Sequence, residues 1–589
     1  MDDETKKPFG SAAGVAARDA ELAPQLWMMI TTFWNSPGRD KLLLLGGAVG
    51  AVVALTAYLQ IKLNAWNKPF YDALSSKDVS GFLYQLMIFV VIAGALLALN
   101  VAQAWLREMS KLKLRDGLTH DLIDQWLVPR RAFHLSGAGE IGVNPDQRIH
   151  EDARHLVELS TDLGIGLLQS ILLLICFITV LWAVSAGVIF SVVGMSFVVP
   201  GYMVWLALTY AGIASFVSSR VGRPLITLDA ERYAREADFR FALVRVNEHT
   251  QAIALYGGET DETEYLNREF DQVLLMMRRL VSGITRLTWV TAGYGWFTIV
   301  APFIVAAPGY FAGDMSLGGL MVAVGAFNQV QQALRWFIDN FSTIADWRAT
   351  LLRVASFRLA LVEMDKVGSE TGRIELVPTA DDQLVLDQVG IASHSACTRL
   401  SERHAIINPA ERVLIIGKRQ GGETSLFCAI AGLWPWGSGR ILLPPAQTMM
   451  FMSQQDYMPP GTLRSALAYP SQPSQFASEE YTAALERMKL AHLLADLDRV
   501  ASWEREMTHE DQQKLGFARL LLHKPRWILL DEAIDHIDDD ARGLILDVFG
   551  QELAEAAIVN IGHADTRGGF FTRVLHLIED PQGEHLAPC

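Results

Sequence analysis

The chain has 589 residues, 51% of them hydrophobic and 20% charged, with a mean hydropathy of +0.21, a balance that fits a membrane part joined to a soluble part and excludes an ordinary soluble enzyme. A net charge of −15 and a pI near 5.4 supply no basic field for a polyanion, which sets aside nucleic acid as a partner. The cysteines Cys176, Cys397, Cys428 and Cys589 are scattered and show no C-x-x-C spacing, so neither a disulfide framework nor a zinc site is indicated.

Residues 1–40 mix Lys6, Lys7 and Arg18 with Asp2, Asp3, Glu4 and Asp19, and they lack the basic start and apolar run of a cleavable signal. This segment is expected to stay in the cytoplasm. Within it, Leu22 to Trp34 is apolar on one side and rich in tryptophan, which suits an elbow helix lying in the interface of a lipid bilayer. Residues 41–366 follow as a helical membrane domain. Four regions, Leu42 to Ile61, Phe82 to Leu106 and Leu163 to Ser219, all uncharged, and Leu287 to Leu334, broken only by Asp314, reach or exceed the roughly 20 apolar residues a span needs, and the last two are long enough for two spans each. Six spans result.

Arg107, Lys111, Lys113, Arg115, Arg130 and Arg131 follow the second span, and Arg220, Arg223, Arg232, Arg235 and Arg240 follow the fourth, whereas the hairpins near Gly194 and Gly309 carry no basic residue. By the positive-inside rule both termini face the cytoplasm. The segments Arg107 to Asp162 and Arg220 to Arg286 are charged yet keep a helical apolar period, so the spans are expected to run on as long amphipathic helices. Residues 367–382, with Gly368, Gly372 and Pro378, read as a linker.

From residue 383 to 589 short apolar strands alternate with helices, the pattern of an α/β domain. Arg412 to Thr424 reads as strand, glycine loop and helix start. Its loop, Gly417, Lys418, Arg419, Gln420, Gly421, Gly422, Glu423 and Thr424, matches the phosphate-loop pattern G-x-x-x-x-G-K-[ST] except that Glu423 stands where the lysine belongs. A carboxylate there exchanges attraction for repulsion of about 4 kcal/mol per unit charge at 4 Å and an effective dielectric of 20. Lys418 and Arg419, inside the loop, could offer substitute positive charge for the phosphates. Further on, Arg526 to Glu532 is an apolar strand ending in two carboxylates, of which Asp531 would hold Mg2+ and Glu532 would polarise an attacking water. Gln454 after one strand and His563 after another complete an ordered set, with Thr424, Gln454 and Asp531 as metal ligands and Glu532 and His563 as catalytic groups.

With these motifs in place the chain resembles ATP-binding cassette (ABC) half-transporters, in which a six-helix membrane domain is fused to one nucleotide-binding domain. More narrowly it resembles the SbmA/BacA-like family of bacterial inner-membrane uptake proteins, through Asn64 to Leu74, Asn144-Pro-Asp-Gln-Arg-Ile149, Glu236 to Arg240 and Ala429 to Ile441. The peroxisomal acyl-transporting half-transporters share a related pattern. The resemblance implies ATP and Mg2+ as cofactors, a homodimer, and peptides or other bulky solutes such as cobalamin as cargo. It also implies a signature segment Leu-Ser-x-Gly-Glu-Gln-Gln-Arg, for which this chain has Met507-Thr508-His509-Glu510-Asp511-Gln512-Gln513-Lys514, with Glu510 in place of the glycine. Gln420 replaces a loop glycine, Asp535 to Asp538 replaces the usual dimer-contacting turn, and no aromatic residue stands upstream to stack on adenine. In an ABC dimer each nucleotide lies between one subunit's phosphate loop and the other's signature, so Glu423 and Glu510 damage different halves of the site. The expectation is weak or absent ATP hydrolysis. Two alternatives stand beside it: a proton-driven carrier with a vestigial nucleotide domain, using Asp314 or Asp339, and a non-transporting assembly partner.

Overall fold

A computed structural model of the chain describes Trp27, Thr31 and residues 38–136, 144–185, 190–192, 195–197, 199–311, 313–363, 373–379, 381–392, 397–417, 422–454, 456–535, 537–562 and 569–579. The expected elbow helix lies outside these residues apart from Trp27 and Thr31. Two compact units separate, one drawn from Val15–Gln125 and Asn144–Arg358, the other from Trp126–Val143 and Leu359–Cys589.

The first unit is built on α1 (Arg39–Ser75), α2 (Val79–Trp126), α3 (Ala153–Ser185), α4 (Tyr202–Glu248), α5 (Glu259–Phe311), α6 (Leu317–Asp339) and most of α7 (Phe341–Glu363). α5 has 53 residues, and at about 1.5 Å per residue it far exceeds a hydrocarbon core of about 30 Å, so a charged helical extension continues from the apolar span. Among the described residues, five helices are long and apolar enough to cross a membrane by length and composition. α6, where a sixth span was expected, falls short because Asn328, Gln329, Gln331 and Gln332 interrupt its apolar face.

Packing in this unit follows helical spacing. Leu45, Val49, Val53 and Ala57 recur every four residues along α1 and are buried, the first three clustering with Leu106 and Ile165. Polar side chains inside it are tied across helices, as expected where water is absent and an unpaired group is costly. The Tyr294 hydroxyl donates to Gln331 Oε1 at 2.5 Å and Gln331 Nε2 donates to the Ala207 carbonyl at 2.7 Å, linking α5, α6 and α4. The Asn144 to Ile149 run leads into α3, and its Arg148 meets the buried Asp152 at 2.6 Å while Arg353 meets the same carboxylate at 2.9 Å.

The second unit carries a ten-stranded mixed sheet. Its strands are β1 (Glu375–Pro378), β2 (Leu384–Ala392), β3 (Cys397–Leu400), β4 (His404–Ile407), β5 (Arg412–Ile416), β6 (Gly437–Leu443), β7 (Met449–Met452), β8 (Trp527–Asp531), β9 (Ala557–Ile561) and β10 (Arg573–Glu579). The order is β1-β6-β2-β3-β10-β5-β9-β8-β7, with β4 paired to β2. β1 falls inside the stretch read as a linker; Leu376 and Val377 give it enough apolar surface to pair in parallel with β6. β10, β5, β9, β8 and β7 are mutually parallel neighbours, and β8 and β9 are buried along their whole length, as the continuous apolar runs Trp527 to Leu530 and Ala557 to Val559 predict. Residues 126–136 also pack in this unit. A Cβ on Gly432 would stand 2.5 Å from Arg130 Cζ, and the His134 ring lies 6.5 Å from that of Trp436.

Candidate nucleotide site

The segments following β5, β9, β8 and β7 leave the sheet at the carboxyl ends of neighbouring parallel strands, where open α/β sheets hold ligands. Among the described residues, this edge gathers most of those singled out from sequence. Gly417 follows β5, Asp531 ends β8 with Glu532 next, and Gln454 stands exposed two residues beyond β7. His563, following Gly562 after β9, lies outside the described residues, as do Lys418, Arg419, Gln420 and Gly421.

α8 (Glu423–Ile430) begins after Gly422, whose φ of +87° suits glycine; a Cβ there would also meet Thr398 Oγ1 at 2.5 Å. Thr398 is buried and its hydroxyl has no hydrogen-bond partner among the described residues, a contact that sequence spacing could not reveal. Glu423 is the first residue of α8, is 7% exposed, and turns its carboxylate back so that Oε1 accepts the Gly417 N–H at 3.0 Å. An anion at a helix N-terminus is favoured by the helix dipole, which accounts for a buried glutamate being tolerated. The backbone amide that opens the loop is therefore already engaged by the chain's own carboxylate.

Asp531 is 6% exposed and its Oδ1 has no hydrogen-bond partner among the described residues. Burial, reinforced by the charges of Glu532, Glu423 and Asp535, pushes its carboxyl up to about 6, while a hydrogen bond from the Thr424 hydroxyl pulls the other way. Glu532 adopts a left-handed backbone, φ +51°, and donates its N–H to the Ile561 carbonyl at 2.9 Å. For an L-residue this conformation costs about 1–2 kcal/mol and is held here by the neighbouring strand.

The signature turn is built differently. Thr508 caps α9 (His509–His523), accepting the Asp511 N–H at 3.1 Å, and Glu510 pairs with Lys514 one turn along on the exposed side of the helix. Sequence reading missed Asp456, two residues after Gln454. Its carboxylate sits against Gly516 of α9, where a Cβ would overlap it, and burial pushes its carboxyl up to about 6 against the pull of Arg519. Arg519 is itself buried and donates to the Ala466 carbonyl at 2.8 Å and the Tyr457 carbonyl at 3.1 Å. A glycine and an arginine set in the otherwise apolar stretch Leu515 to Leu522 were the available signal.

A hard cation fits this edge, because Asp531 presents a buried, unpartnered oxygen beside the Thr424 hydroxyl. The terminal phosphates of a nucleotide do not fit equally well, since Glu423 brings a carboxylate to the amide that would receive them.

Known families agree with this geometry in both halves. Residues 34–311 match the family described as ABC transporter transmembrane region 2, and residues 400–535 match the ABC transporter domain family. The chain is an ABC half-transporter. This half-transporter is 27% identical over 562 residues to an uncharacterized ABC transporter ATP-binding protein of Haemophilus influenzae, covering 95% of the chain and 93% of the relative. It is 25% identical over 537 residues to the inner membrane ABC transporter ATP-binding protein YddA of Escherichia coli, covering 91% and 94%. It is 22% identical over 550 residues to the human lysosomal cobalamin transporter ABCD4, covering 86% and 87%.

Proposed function

We propose that this half-transporter works as a homodimer in the bacterial inner membrane, with both termini and the nucleotide domain in the cytoplasm, and moves peptides or other bulky solutes of cobalamin type with weak or absent ATP hydrolysis. The inner-membrane placement is supported by the name of the E. coli relative and the cobalamin-like cargo by that of the human one. Peptide cargo follows from the SbmA/BacA-like motifs. The single observation that carries weak hydrolysis is the hydrogen bond from the Gly417 amide to Glu423. A loop that binds its own carboxylate has one donor fewer for a phosphate and a negative charge beside it.

Mg-ATP binding and turnover of the purified chain, of Glu423→Lys, and of Glu423→Lys with Glu510→Gly test the reading. The native chain should be nearly inactive. The double variant should gain about a hundredfold, the scale on which one charge-stabilising donor contributes to a rate. Brisk, solute-stimulated turnover by the native chain would overturn the proposal.

A further inference from the structure

We infer that Arg335 recognises a carboxylate of the transported solute, on a polar wall that α6 presents to the translocation path, with Asp339 as the counter-ion the solute displaces. The inference rests on the reading above of bulky solutes moved by a pair of chains, and it narrows that cargo to molecules ending in a free carboxylate, such as unmodified peptides.

α6 lies within the helix bundle, because Leu320, Phe327 and Val330 are buried in one cluster with Phe177 of α3, Ala207 of α4 and Ala306 of α5. Apart from Gln331, its polar residues in this stretch fall on another face. Asn328, Gln332, Arg335 and Asp339 follow one another at i, i+4, i+7 and i+11, which sets them along one stripe; Asn328, Gln332 and Asp339 are exposed and Arg335 is partly buried. At about 1.5 Å per residue, Arg335 comes about 27 Å after Leu317, so most of the stripe runs within a hydrocarbon core of about 30 Å. Lipid does not solvate a row of amides and charges at that depth. The stripe therefore faces water enclosed by protein, which in a transporter is the path of the solute.

Depth and polarity alone would also fit a long arginine reaching out to the lipid headgroups. A second observation argues against that reach. The Arg335 guanidinium lies over the ring of Tyr294 on α5, 5.7 Å from its centroid. Tyr294 is itself held: its hydroxyl donates to Gln331 at 2.5 Å, and Tyr210 stacks on it at 4.4 Å between centroids while donating its own hydroxyl to the Tyr294 carbonyl at 3.1 Å. An arginine placed over a fixed aromatic face keeps its fork of N–H donors for a planar carboxylate. Asp339 meets that fork through a single long contact of 3.4 Å, between side chains 34% and 54% exposed. So loose a pair exchanges readily for a solute carboxylate that engages both donors. Asp339 then keeps Arg335 paired while the path is empty.

The probe is a randomised nonapeptide library, half with free and half with amidated carboxyl termini, offered to the full-length chain in nanodiscs of phosphatidylcholine, a lipid without net charge. Retained peptides are counted by mass spectrometry. The native chain should enrich free-carboxylate peptides by at least about tenfold, the equivalent of about 1.4 kcal/mol. Arg335→Gln should abolish the enrichment, Arg335→Lys should keep part of it because the charge remains without the fork, and Asp339→Asn should raise it by removing the competing carboxylate. Near-native circular dichroism shows that each variant is folded; should Arg335→Gln fail to fold, Arg335→Lys and Asp339→Asn decide. Equal retention of the two halves by the native chain, enrichment that survives Arg335→Gln, or enrichment that does not rise in Asp339→Asn overturns the inference and leaves the cargo reading standing. Retention of neither half overturns the inference together with peptide cargo. Turnover of Mg-ATP, measured without peptide, judges weak hydrolysis separately.

Discussion

The phosphate-loop pattern and the segment that resembles a signature each carry a glutamate where those patterns have another residue, but the structure treats the two in opposite ways. Glu423 is buried, begins a helix and accepts a backbone amide of its own loop; Glu510 is exposed and, among the described residues, meets a lysine one turn along α9. The first has been absorbed into the fold. The second is a surface charge whose replacement asks little of its surroundings. Sequence alone makes the two losses look equivalent, because both place a carboxylate near a triphosphate. Burial separates them: reverting Glu423 means rebuilding a hydrogen-bonded loop, while reverting Glu510 means removing a side chain.

The largest expected effect lies at Asp531, and it tests how far the loop end is held under electrostatic strain. Folding raises this carboxyl from 3.8 to about 6, so between those values the folded chain keeps a proton that the unfolded chain has released. Its contribution to stability is therefore full at low pH and is lost as pH rises through about 6. Two pKa units amount to about 3 kcal/mol. Asp456 titrates over the same range, so the difference between native and Asp531→Asn chains is what counts. Unfolding of the full chain in detergent should show the asparagine variant gaining about 3 kcal/mol relative to native between about pH 4 and pH 7. Parallel profiles for the two chains would mean that the loop end is not strained.

These effects show which parts of the molecule were legible beforehand. The nucleotide edge was, because Gly417, Gly422 and Thr424 have fixed spacing and because Trp527 to Asp531 reads as a buried strand ending in a carboxylate. Bringing these together required only the parallel topology that such strands adopt. The fold-back of Glu423 was not legible: the substitution predicts repulsion, whereas the direction of the side chain depends on an amide six residues earlier. β1 was hidden in an expected linker because its partner on β6 lies 65 residues away, as the Glu375–Arg440 pair shows. The shortfall of α6 as an apolar span has a similar origin. Gln331 looks misplaced until Tyr294 and Ala207, on two other helices, are seen to satisfy it.

A middle-sized effect is expected at Glu423 itself. Glu423→Ala removes a hydrogen bond to a charged acceptor, worth about 1.5–3 kcal/mol, together with a favourable charge at a helix N-terminus worth about 0.3–1 kcal/mol. Relief of the repulsion on Asp531 offsets part of this, leaving a net loss of about 2 kcal/mol at pH 7. At about pH 5, where Asp531 is already largely neutral and an ordinary glutamate is still mostly ionised, the offset disappears and the loss should grow. Unfolding measured at both pH values checks the sign of that change, and a loss that shrinks on acidification would show that Glu423 and Asp531 are not coupled.

The smallest effect should come from Glu510. Its pair with Lys514 is exposed on the acidic side, and such pairs contribute about 0–1 kcal/mol, further reduced by salt. Glu510→Ala should shift stability by less than about 0.5 kcal/mol, because alanine's helix propensity in the first turn of α9 offsets much of the lost pairing, and the Thr508 cap that starts the helix is untouched. The same unfolding measurement, repeated at high salt, should show no further change. A loss from Glu510→Ala as large as that from Glu423→Ala would break the contrast between the two ends, because it would mean that the signature glutamate is built into its helix as firmly as the loop glutamate is built into its own.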